Sequence, residues 1–188
     1  MGHHGSVPDP AEPQIQPTVD PLEIAALEIE RHVASAGWDQ NPRLFALVPT
    51  AALVAAEPGL DGGLQAQDLA PGALSAVEQE GLEATSSLES LLGRLAWPPE
   101  VHGTALTVER MVVPPDAERD LPEDADAALE VLTSHPGRRD IRLVVAVTRA
   151  GASVCLLRQR DHDRDDRVAS GPDLAPGIVH ALRATFED

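Results

Sequence analysis

Apolar residues recur at helical spacing in "DPLEIAALEIERHVASAG", where Leu22, Ala26, Ile29 and Val33 fall on one stripe. Asp20 stands at the N-cap, Pro21 at the first helical position and Glu23 in place for a capping box, while Gly37 supplies a left-handed stop. The unbroken apolar run Leu44 to Val48 suits a strand buried on both faces, inside a sheet. Thr50 then heads a short Ala-rich helix to Glu57. Residues 58–76, rich in Gly, Pro, Asp and Ala, read as a surface loop or lid. "SSLESLLGRLAWPP" predicts a helix opened by Ser86 or Ser87 and ended by its prolines.

From Gly103 the pattern alternates, with Leu106, Val108 and Val112 on one face and Thr107 and Glu109 on the other, which predicts a half-buried strand. Glu109 and Arg110 therefore point to opposite faces. "LPEDADAALEVLTSHPG" predicts a short acidic-fronted helix. "DIRLVVAVTRAGASVCLLRQR" predicts a hairpin about Ala150-Gly151. A two-residue turn there would set Val147 against Val154, Val145 against Leu156 and Leu143 against Arg158, with Ala146 against Cys155 and Val144 against Leu157 on the other face. In the last helix, capped by Asp173, Leu174, Ile178, Leu182 and Phe186 form the stripe and Pro176 sits in the first turn.

This order of elements implies an α+β fold, a mostly antiparallel sheet of about four strands with the N- and C-terminal helices packed on it. Residues 20–188 form the single domain. Residues 1–19, with four prolines and almost no large apolar side chains, read as a disordered tail.

Charge narrows the function classes. The 188-residue chain carries a formal charge of -17, and all 14 of its basic residues are Arg. Residues 51–100 hold eight acids against Arg94 alone. Such a field repels nucleic-acid phosphates and anionic membrane surfaces, so neither is expected as a partner. Hydrophobic residues make up 43% but aromatics only 2%, so the core is expected to be aliphatic. The lone Cys155 excludes an internal disulfide, and no apolar run is long enough for a membrane helix. The expected location is the cytoplasm.

Candidate chemistry is sparse. Asp161, Asp163 and Asp165 occupy the first, third and fifth places of a calcium loop, but Asp166 stands where Gly is needed and Pro172 where a bidentate Glu is needed. With Arg160, Arg164 and Arg167 interleaved, the stretch reads as a solvated loop. His32, His102, His135, His162 and His180 show no zinc spacing, no Gly-rich loop follows a strand, and Cys155 lies within a predicted strand as a small buried hydrophobe. No metal or cofactor is expected. Glu78 and Glu80, two apart, would share a side on an extended chain and could serve as an acid and base pair, or equally as an exposed acidic turn.

The corner Trp38-Asp39-Gln40-Asn41-Pro42-Arg43 reads mainly as a helix-to-strand turn. Trp38, and Trp97 in "LAWPPEV", suit either a domain-edge plug or a recognition anchor.

Taken together, "PLEIAALEIERHVASAGWDQNPRLFALVPTAALVAAEPGL", "VEQEGL", "LAWPPEVHGTALTVER", "IRLVVAVTRAG" and "GPDLAPGIVHAL" resemble an uncharacterised family of actinobacterial proteins, from about Asp20 to the C-terminus. That resemblance implies no activity, cofactor or catalytic residue. In outline the fold is also similar to secretion-chaperone-like domains, by analogy alone. The leading expectation is a non-catalytic adaptor or chaperone-like domain that binds a protein through an apolar face or groove near Trp38 and Trp97; a homodimer with no ligand at all is a third reading compatible with the same residues. The alternative is a small ligand-binding or hydrolase-like enzyme built on Asp39, Arg43, Glu78 and Glu80 beside loop 58–76.

Overall fold

The computed structural model describes residues 20–56, 71–80, 87–171 and 174–187. Helix α1 spans Pro21–Ser35; the Asp20 carboxylate accepts from the Leu22 N–H at 3.1 Å. Gly37, at φ 87°, turns the chain out of it. Strand β1 (Arg43–Pro49), α2 (Thr50–Ala56) and β2 (Leu74–Glu78) follow. Next come α3 (Leu88–Leu92), β3 (Gly103–Val112) and α4 (Ala125–Thr133). Strands β4 (Arg139–Thr148), β5 (Ser153–Gln159) and β6 (Ala169–Ser170) and helix α5 (Pro176–Ala184) complete the chain.

The strands form one antiparallel sheet in the order β2-β1-β3-β4-β5-β6. Among the described residues it has six strands where about four are expected from the sequence. The additional pieces are β2, concealed in the Ala-rich end of the segment read as loop, and the two-residue β6. Residues 58–70 of that loop, Glu57 at the expected end of α2 and the tail 1–19 lie outside the described residues.

Helices cover both faces, so the central strands are apolar on both sides, as the runs in β1 and β4 require. On one face α1 lays Leu22, Ala25, Ala26, Ile29 and Val33 on Phe45, Leu47, Ala105, Val144, Ala146 and Leu156. On the other, Val179 and Leu182 of α5 and Leu92 of α3 pack on Leu44, Leu106, Leu143, Val145, Val147 and Cys155.

Four expectations are corrected. The hairpin pairs Val147 with Ser153, Val145 with Cys155 and Leu143 with Leu157, while Ala146 meets Val154 and Val144 meets Leu156. Its loop is one residue longer than assumed: Thr148 N–H donates to the Ala152 carbonyl (2.9 Å), Gly151 N–H to that of Thr148 (3.0 Å), and Gly151 holds φ 103°. One residue of slip exchanges the faces of an entire strand. Helix α3 ends at Leu92, well before Trp97, and α5 begins only at Pro176 with Ala175 at its N-cap. Leu174 consequently sits outside α5 and is exposed; Asp173 lies outside the described residues. Val112, expected on the buried face, is exposed at the far end of β3.

Candidate functional site

The α1 face of the sheet is not apolar throughout. Beneath the C-terminal end of α1, cross-strand pairing sets Glu109, Arg142 and Arg158 in one row. Arg142 and Arg158 stand directly opposite one another, an arrangement that like charges disfavour unless acids neutralise it. Glu30 of α1 does so for Arg158: its carboxylate accepts from Nε at 2.6 Å and from Nη2 at 3.1 Å, with both side chains buried. Arg158 also donates to Asp163 (3.1 Å) and Asp165 (2.6 Å). Desolvation pulls the Arg158 pKa down, and these hydrogen bonds more than offset it, so the guanidinium is held above its ordinary value.

The corner after α1 is tied to the same row. Asp39 takes a positive φ of 65°, and its N–H and that of Gln40 each donate to one oxygen of the Glu109 carboxylate, both at 2.8 Å. Successive amides converging on one anion make a backbone nest. The Gln40 amide donates to the Val33 and Gly37 carbonyls, closing the end of α1, and accepts from Arg43 at 3.1 Å. Arg43 grips Glu78 of β2 through two bonds, 2.6 and 2.8 Å, and its Nη2 lies 3.3 Å from His32 Nε2. Asp39 is gripped likewise by Arg160, at 2.9 and 3.1 Å. Hydrogen bonds from these arginines hold the Glu78 and Asp39 carboxyls below their ordinary values, against a smaller opposing effect of desolvation.

Asp39, Gln40, Arg43 and Glu78 thus belong to one connected network. Glu80 lies exposed past the end of β2. The two tryptophans are on opposite sides of the sheet. Trp38 stacks on Arg142 and donates to Asp163 at 3.1 Å, on the α1 side. Trp97 packs on the α5 side against Phe186 and donates to Thr185 at 3.0 Å. The acidic loop after β5 is partnered by arginines: Asp163 and Asp165 join the network through Arg158, while Asp161 pairs with Arg139 and Asp166 with Arg164 at the surface. Among the described residues no group of His, Cys, Asp and Glu is arranged to hold a metal.

Beside the network, between α1 and β2, runs a trough of two adjoining cavities that share Leu74. One, of about 410 Å³, is lined by Ile29, Phe45 and Ala76 and rimmed by His32, Glu78 and Glu28. The other, of about 550 Å³, lies under the start of α1 between Pro21, Leu22, Pro99, His102 and the β4–β5 turn. Neither tryptophan lines it.

Sequence reading missed Glu30, Glu109, Arg142 and Arg158. A signal was present: arginines interrupt the two most apolar strands, and in the two-residue-turn register Arg158 would be the one polar residue on an otherwise apolar face.

Fold and site together define a single-sheet α+β protein whose surface carboxylates are clamped by arginines next to an open apolar trough. The model of the PPA1309-like protein family matches residues 22–187, and the chain belongs to that family. No curated protein and no solved structure matches it, so the outline likeness to secretion-chaperone-like domains is not supported. Among the described residues no helix is long and apolar enough to cross a membrane.

Proposed function

We propose that the protein is a non-catalytic, cytoplasmic adaptor or chaperone-like domain whose protein partner docks in the trough between α1 and β2. The observation supporting this reading is the trough itself, an apolar concavity beside an edge strand in a chain of formal charge -17. A cleft that is largely apolar with a few convergent polar groups is the default expectation for a binding site. The alternative, a hydrolase-like enzyme on Asp39, Arg43, Glu78 and Glu80, gains less support. Catalytic carboxyls acting as acids have raised pKa values, whereas Asp39 and Glu78 are held low by Arg160 and Arg43.

The test is hydrogen–deuterium exchange on the protein together with the partner it retains from its own cells. Slowed exchange in α1 and in Leu74–Glu78 supports the reading. Protection confined to other surfaces, or no retained partner, removes it.

A further inference from the structure

The phase of the β1–β2 ladder shows what β2 offers at its outer edge. Gln79 N–H donates to the Leu44 carbonyl at 2.8 Å, and Thr50 N–H to that of Ala73 at 2.9 Å. Hydrogen-bonded pairs alternate along an antiparallel ladder, so Ser75 and Val77 direct their backbone groups toward β1. Leu74, Ala76 and Glu78 direct theirs outward, and among the described residues no strand lies beyond them. Their side chains share a face with Phe45 and Leu47 and line the trough. Ala76 is small, so the backbone edge and the concavity open onto the same space.

Exposed edges are commonly protected by Lys, Pro or extreme shortness. The opposite edge, β6, is only two residues long. Strand β2 has five residues and no Pro or Lys, its one charged side chain, Glu78, is paired with Arg43, and Val77 is 41% exposed on its other face.

We infer that the partner enters as an added β-strand on β2, an extended segment that alternates apolar and basic side chains. The inference rests on the trough being the docking site. Strand addition obtains affinity from main-chain hydrogen bonds and specificity from pockets for alternate side chains. Here Leu74, Ala76 and Glu78 supply the main-chain groups. The cavities flanking Leu74 take the apolar side chains. Basic residues are favoured by the formal charge of -17, which attracts a basic strand and repels an acidic one.

The probe is a short capped peptide alternating lysine and leucine, compared with its glutamate–leucine counterpart and with two analogues N-methylated at one or the other alternate set of residues. Saturable binding is expected for the lysine peptide, with slowed exchange of the Leu74, Ala76 and Glu78 amides. Methylation of only one of the two sets should weaken it by about tenfold or more, since an added strand uses every second amide. The glutamate peptide should not bind. Ala76→Pro, which removes an outward N–H and leaves the bonds to β1 in place, should abolish binding while thermal unfolding stays cooperative.

Equal tolerance of both methylation patterns, together with loss of binding in Leu74→Glu, overturns strand addition and leaves the trough as the site. Failure of the lysine peptide to bind a protein that still shields α1 and β2 with its cellular partner overturns the alternating basic occupant. Peptide protection away from α1 and β2 overturns the trough and this inference together.

Discussion

The guanidinium carbon of Arg142 lies 4.3 Å from the centre of the Trp38 ring, and this contact accounts for a cation that hydrogen bonding leaves incomplete. Arg142 is 1% exposed, and among the described residues its Nε and Nη1 have no hydrogen-bond partner. Its Nη2 donates to the Gly37 carbonyl and lies 3.7 Å from Glu109. The indole face supplies the remaining stabilisation, and its N–H reaches Asp163. Trp38→Ala should therefore cost about 2–4 kcal/mol in urea unfolding, because it strips the contact from a desolvated cation. Trp38→Phe keeps a ring and loses the bond to Asp163, a cost of about 1 kcal/mol. A near-neutral Trp38→Ala would mean that water or another group reaches Arg142.

The buried pair Glu30–Arg158 makes a different prediction. Removing one partner of such a pair strands the other charge, so Glu30→Gln and Arg158→Met should each destabilise by about 3–5 kcal/mol. Replacing both with apolar residues removes the stranded charge, so Glu30→Leu with Arg158→Met should lose less than either single change. Asp163 and Asp165 lose their partner in the double variant, but both are substantially exposed and are solvated by water. Additive losses in the cycle of Glu30→Leu, Arg158→Met and their double variant would show that the two side chains act independently.

Much of this fold is legible from the chain. The cap at Asp20, the stripe through Val33, the stop at Gly37 and the strand from Leu44 are local signals, and each is found where it is read. Strand β2 is not, because Leu-Ser-Ala-Val-Glu shows weak alternation and follows a Gly- and Pro-rich stretch; only its pairing with β1 makes it a strand. The corner at Trp38–Arg43 is recognisable as a turn, but its partners Glu109, Arg142 and Arg160 lie far away in sequence, and nothing local announces them. Neither is the trough, since it depends on how α1 lies over the sheet edge.

Acid should loosen the same corner. Asp39, Glu78 and Asp165 have carboxyls held below their ordinary values by Arg160, Arg43 and Arg158 in the folded chain. The unfolded chain binds protons first as pH falls, so these groups stabilise the fold fully above the ordinary carboxylate range. Their contribution declines as pH drops through that range toward the lowered values. Stability from urea unfolding should thus be flat from about pH 7 to 6 and fall below about pH 4.5. In Arg43→Met the Glu78 share of that slope should vanish. An unchanged slope would assign the acid sensitivity to other carboxylates.

The β4–β5 turn decides which face Arg158 occupies, and so whether it reaches Glu30. A two-residue loop would pair Leu143 with Arg158 and place the guanidinium among the apolar residues packed by α5. The longer loop pairs Leu143 with Leu157 and sends Arg158 to α1. Gly151, at φ 103°, is the residue that admits the longer loop, in a conformation that side chains with a Cβ rarely adopt. Among the described residues nothing lies within 4 Å of a Cβ built there, so the penalty of substitution is conformational and not a clash. Gly151→Ala should cost about 1–2 kcal/mol, Asn less, and Val more because its branched side chain is least tolerant of positive φ. Thermal unfolding of the series checks this. Equal losses for Asn and Val would mean that the turn relaxes into another conformation and that Glu30, by holding Arg158, fixes the register instead.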